Sequence, residues 1–141
     1  MGESHLALLA ELLDLIERYA LSVTRKDLEA DRETWLKVKG ALETAAQCAI
    51  DLALQLVATR RLGAPQSYRE AFRALATAGI IEPSLAQGLE SWAGLRNVLA
   101  HVYTDLDLDR LHRALGETAP LRAFQRRVAS ELLKDLANED P

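Results

Sequence analysis

A chain of 141 residues is long enough for one domain with its own core. Its single cysteine, Cys48, rules out any intramolecular disulfide and fits a reducing compartment. The balance of 49% hydrophobic to 27% charged residues is that of a globular protein, and a net charge of −4 argues against a surface that grips nucleic acid wholesale. No uncharged apolar run approaches the ~20 residues of a membrane span, and "MGESHLALLAELLDLIERYA" is too acidic throughout for a secretory signal, so a cytoplasmic protein with no membrane partner is expected.

The apolar spacing predicts helices throughout, with no alternating strand pattern in competition. The first covers about residues 4–21, striped by Leu6, Leu9, Leu13 and Ile16; "TRKDLEADRE" after it reads as a loop holding at most a helical turn. The second, about residues 33–59, is the clearest: Trp35, Val38, Leu42, Ala45, Ala49, Leu52 and Leu56 alternate steps of three and four, and Ala46, Ile50, Ala53 and Val57 widen the stripe. It should end at "RRLGAP", with Gly63 as cap and Pro65 as stop. Ser67 and Glu70 stand at capping-box spacing and open a third helix that stops near Gly79. Pro83 suits the first turn of a fourth, which runs through "SLAQGLESWAGLRNVLAHVY". The aspartates of "TDLDLD" start a fifth helical stretch to about Leu136, interrupted at Gly116 or Pro120. The expectation is one domain over residues 1–141: an all-α, antiparallel up-and-down four-helix bundle with an additional short helix.

Cys48 lies in the apolar "AAQCAIDLAL" and reads as a small core residue. His5 and His112 have no constellation around them and read as solvated, and one Cys with three dispersed His gives no metal-ligand spacing, so no metal or cofactor is expected. "TRR" (59–61) and "RAFQRR" (122–127) read as solvated basic faces. Asp51, in the middle of the apolar second helix, needs a buried polar partner, with Arg96 the leading choice, or a place on a dimer face.

The fourth helix ends in polar residues unusual for an apolar segment: Arg96, Asn97, His101 and Tyr103. At about 100° per residue, Leu95, Val98, Leu99 and Val102 gather on one side, which should face the bundle. Asn97 and His101 stack on the opposite side among Ala93, Gly94 and Ala100. Arg96 and Tyr103 share a flank. A strip of small residues, rather than Lys and Glu, lets another backbone approach. It points to a homodimer through the fourth helix, with Arg96, Asn97 and His101 meeting their symmetry mates in one cleft.

"RNVLAHVY" at 96–103 resembles the Arg-x4-His-x-Tyr motif of HepT-like toxins in the HEPN superfamily of helical ribonucleases. "ALETAAQCAIDLALQLV" (41–57), "PQSYREAFRALATAGII" (65–81) and the aspartate-rich turn after Tyr103 look like that family's segments in the same order, so the resemblance covers about residues 30 to 125. One departure is Leu95, where relatives often carry Phe; it bears on packing. The resemblance implies a HEPN-like, homodimeric fold and a metal-independent endoribonuclease, the toxin of a toxin–antitoxin pair. The Arg and His of both subunits, here Arg96 and His101, would line a composite cleft. The implied partner is a small MntA-like nucleotidyltransferase antitoxin, which silences the toxin by transferring AMP to the motif tyrosine, here Tyr103.

The chemistry of the residue types agrees. RNA cleavage without metal needs a proton-transfer group, and imidazole exchanges protons near neutral pH, so His101 is the expected general acid or base. The planar, permanently charged guanidinium of Arg96 suits the phosphate oxygens, and Asn97 can bind substrate or orient His101 one turn away. The alternative is a non-catalytic HEPN subunit that binds substrate or nucleotide for a partner nucleotidyltransferase.

Overall fold

The computed structural model describes residues 2–101 and 107–139. Seven helices occur among them: α1 (Gly2–Ser22), α2 (Arg25–Ala30), α3 (Arg32–Thr59), α4 (Tyr68–Thr77), α5 (Pro83–His101), α6 (Leu108–Ala114) and α7 (Ala119–Glu139). No strand appears among the described residues, so the all-α expectation holds and the helix number exceeds the expected four or five.

The long helix α3 is the axis of the core, and α1, α4, α5 and α7 all pack on it. Its expected stripe is buried in full: Trp35, Val38, Leu42, Ala45, Ala49, Leu52 and Leu56 are at most 5% exposed. By length and composition α3 could cross a membrane, but its apolar surface lies against neighbouring helices of the same domain. Cys48 is buried as expected. Desolvation first, and the nearby Asp51 carboxylate second, raise the pKa of its thiol, which keeps it in the unreactive neutral form. A T-shaped contact of Phe72 on α4 with Phe124 on α7, centroids 5.6 Å apart, closes the other side of the core.

Local sequence explains most helix ends, with two corrections. "TRKDLEADRE" is not a loop. Thr24 accepts from the Asp27 amide while Asp27 accepts from the Thr24 amide, a complete capping box that starts α2, and Leu28 anchors it in the core. The stop of α3 is made by Arg61 rather than Gly63. Arg61 takes the left-handed φ of 54°, and the Leu62 and Arg61 amides donate to Val57 and Ala58 carbonyls, a Schellman arrangement whose left-handed residue lies two positions before the glycine. At the end of α4 the same arrangement does use glycine, Gly79 at φ 77°. Ser67 caps α4 through the Glu70 amide and Pro83 opens α5, as expected. Asp107 caps α6, and the break before α7 falls between Leu115 and Thr118, around Gly116.

Candidate functional site

Helix α5 carries the motif, and its orientation decides what each motif residue can do. It is buried by α3, α4 and α7 together, so its covered arc is wide: Ala86, Leu89, Glu90, Trp92, Ala93, Leu95 and Leu99 are all buried. That arc is centred near the direction of Arg96, not on the Leu95–Val98–Leu99–Val102 side. Ala93 is 1% exposed and Val98 47%, the reverse of the expected placement. Leu95 and Leu99 are buried as expected, but Ala86, Leu89 and Ala93 extend the inward arc to the side away from Val98, because α3, α4 and α7 all cover the helix. The small-residue strip also shrinks. Ala93 belongs to the core and Gly94 is covered by the Arg69 side chain from α4, leaving Asn97, Val98 and His101 exposed on the last turn.

Arg96 is therefore half-buried. Its guanidinium lies over the Tyr68 ring, Cζ 5.8 Å from the centroid, within the ~6 Å over which a cation feels the negative π-face. Its Nε is buried and has no hydrogen-bond partner among the described residues. A buried donor left unmatched costs free energy, and a charged one costs more. Asp51 does not serve Arg96. It accepts from Gln47 at 2.8 Å and lies 3.5 Å from His5 Nε2, across the α1–α3 contact. His5 is thus not simply solvated, and neither is His112, whose Nε2 is 3.2 Å from the Val23 carbonyl.

His101 ends α5 and is exposed. Its Nδ1 lies 2.7 Å from the Asn97 carbonyl. A carbonyl can only accept, so this contact assigns the proton of the neutral ring to Nδ1 and leaves the Nε2 lone pair facing outward. Asn97 orients the ring through its backbone, a contact the i,i+4 spacing permits; its side chain is exposed. Arg96 and His101 do not converge within one chain. Five residues apart, they point about 140° from one another and are offset by about 7.5 Å along the axis. Tyr103 and Val102 lie outside the described residues.

Three of the five arginines in the two basic stretches are paired with carboxylates. Arg60 pairs with Asp135 at 2.7 Å, Arg122 with Asp14 at 2.8 Å and Glu17 at 3.1 Å, and Arg127 with Glu131 at 3.4 Å. The contribution of Tyr68 to the site was not foreseen. In the sequence "SYREAF" offers a cap and a family-like segment, and the aromatic type of Tyr68 and the mid-helix Gly94 are the signals that bear on the site.

A family model described as Ribonuclease HepT-like matches residues 9–128. An mRNA nuclease HepT of Shewanella oneidensis is 37% identical over 68 residues, covering 48% of this chain and 51% of that one, so the match spans about half the relative's length. A tRNA nuclease HepT of Aphanizomenon flos-aquae is 28% identical over 114 residues, 81% of this chain and 77% of that one. The fold is similar to that of the tri-AMPylated Shewanella oneidensis HEPN toxin in complex with an MNT antitoxin, at a TM-score of 0.81 and 23% identity over 92% of this chain and 96% of that one. It is likewise similar to the cytosolic protein YutE of Bacillus subtilis, at a TM-score of 0.80 and 18% identity over 96% and 90% of the two chains. On the extent of the family match, this chain belongs to the ribonuclease HepT-like family.

Proposed function

We propose that the chain is a metal-independent endoribonuclease, acting as a homodimer and held in check by a nucleotidyltransferase antitoxin that places AMP on Tyr103. The observation that carries this reading is the state of Arg96: a half-buried guanidinium with an orphaned Nε and no carboxylate partner among the described residues. In a protein of net charge −4, where Arg60 and Arg122 are paired with carboxylates, Arg96 is held half-buried with no carboxylate among the described residues. The names of the relatives, nucleases of mRNA and tRNA, point the same way, as does the complex of an AMPylated toxin with its antitoxin. A cytoplasmic setting fits such a pair.

In the proposed mechanism, the outward Nε2 of one His101 takes the proton of an RNA 2′-hydroxyl. The oxygen attacks the adjacent phosphorus, the 5′-oxygen leaves, and the imidazolium so formed returns the proton to it through a water molecule. The product ends in a 2′,3′-cyclic phosphate. Arg96 neutralises the negative charge that gathers on the equatorial oxygens, and the low-dielectric floor around Tyr68 strengthens that attraction. Because Arg96 and His101 of one chain diverge, the cleft draws the arginine from one copy and the histidine from the other. What remains exposed of the expected strip, Asn97 and His101, together with Val98 beside them, is the part of α5 left to meet a second copy.

AMP on Tyr103, seven residues beyond Arg96, would bring a phosphodiester into competition with RNA for that guanidinium. The test uses purified chain in EDTA with single-stranded RNA, before and after treatment with a nucleotidyltransferase of this type and ATP. The expected result is cleavage to cyclic-phosphate ends at first and at least a tenfold loss after modification, with a Tyr103→Phe chain escaping the loss. No cleavage by the untreated chain would leave the non-catalytic HEPN subunit as the better reading, and undiminished cleavage by the modified chain would remove the switch.

A further inference from the structure

Helices α4 and α5 meet in rungs one turn apart. On one rung Arg73 Nε donates to the Glu90 carboxylate at 2.7 Å, and Glu90 is 9% exposed. One turn nearer the motif, Arg69 stands opposite Gly94, where an added Cβ would lie 2.5 Å from Arg69 Nη2. The position that would answer Arg73 with an acid answers Arg69 with no side chain at all. Arg69 has no ion pair or hydrogen bond among the described residues. Glycine weakens a helix interior more than any residue but proline, and here it gives an arginine a seat on bare backbone.

The location of that seat gives it a meaning. Gly94, Asn97 and His101 follow one another in steps of three and four, so they share one face. The Arg69 charge sits about 4.5 Å along the axis from Asn97 and about 10.5 Å from His101. Arg96 instead lies on the buried side of the same helix. Single-stranded nucleic acids are held by cations that track the backbone, and a guanidinium fork grips phosphate oxygens in a fixed geometry.

We infer that Arg69, seated over Gly94, binds an RNA phosphate neighbouring the one that is cleaved. This rests on the ribonuclease reading and adds to it a binding residue on a second helix. Arg69 touches substrate away from the reacting atoms, so its loss should weaken binding more than chemistry.

The experiment measures cleavage of a short, mixed-sequence single-stranded RNA by the purified full chain across a KCl series. The variants are Arg69→Ala, Arg69→Lys, Gly94→Ala and, as a control for lost charge elsewhere, Arg18→Ala on the exposed face of α1. Arg69→Ala should raise KM roughly tenfold with kcat changed about twofold or less, a loss typical of one charge-assisted contact. It should also flatten the slope of log(kcat/KM) against log[salt] by about 0.7 for each phosphate released. Arg69→Lys should recover part of both. Gly94→Ala should displace the flexible end of Arg69 and raise KM in the same direction without lowering Tm, whereas Arg18→Ala should match wild type. If Arg69→Ala keeps the wild-type KM and slope while His101→Ala is inert, this assignment falls and the ribonuclease reading stands; in that case a carboxylate of a protein partner becomes the anion to seek. A wild type that cleaves no RNA removes both.

Discussion

Replacing His101 by alanine is expected to lower RNA cleavage by about 10²–10⁴-fold, the usual contribution of a positioned proton-transfer group, equivalent to about 3–5 kcal/mol of barrier. The fold should hardly notice. His101 is exposed at the last turn of α5, and its ring contact among the described residues is with the carbonyl of Asn97 in its own helix. Surface changes of this kind stay within about 0.5 kcal/mol. Thermal melting and single-turnover cleavage on the same preparation check both halves. A variant that melts like wild type and cleaves like it would remove His101 from the chemistry. His101→Gln is the sharper variant, since an amide can hydrogen-bond a phosphate but cannot take up a proton; it should be as inactive as alanine.

The second large effect is at Arg96. Arg96→Ala should cost about 10²–10³-fold in kcat, the range for removing one preorganised donor from developing negative charge. Arg96→Lys should restore only a small part of that. An ammonium supplies the charge but not the planar fork, and it stacks less well on the Tyr68 ring, which lies 5.8 Å from the guanidinium carbon. Stability separates this role from a structural one. Arg96 Nε is buried without a partner among the described residues, so removing it relieves an uncompensated desolvation while losing packing of the stem. The two terms oppose one another, and Tm should move by only a few degrees. A large drop in Tm that accounts for the lost activity would mean Arg96 serves packing against α4.

The long-period features were legible in the sequence. The steps of three and four in α3 identify a core helix because so many buried positions agree, and Ser67, Pro83 and Asp107 mark helix starts by chemistry local to each residue. Short-range competition hid α2. Six residues in a polar stretch give too few turns for a periodicity, and only the reciprocal Thr24–Asp27 cap betrays the helix. The site was legible as a set of residue types and not as a geometry. A wheel drawn on the last two turns of α5 put Val98 inside and Ala93 outside because the direction of burial is fixed by α3, α4 and α7, which no local pattern encodes. Tyr68 under Arg96 and Arg69 over Gly94 are contacts between residues 28 and 25 positions apart, visible only once α4 lies on α5. Asp51 taught the same lesson in reverse: an acid within an apolar stripe found His5 and Gln47 at the edge of the helix pair instead of Arg96 in the site.

The divergence of Arg96 and His101 around α5 makes the central claim testable without a structure of the dimer. If each cleavage centre takes its guanidinium from one copy and its imidazole from the other, two inactive chains should rescue one another. Arg96→Ala and His101→Ala proteins are mixed, exchanged through mild denaturant and refolded, and then assayed on single-stranded RNA in EDTA. The mixture should regain a substantial fraction of wild-type cleavage, following the statistical share of mixed dimers, with cyclic-phosphate ends on the product. A mixture that forms dimers yet stays as inert as either parent would contradict the shared cleft.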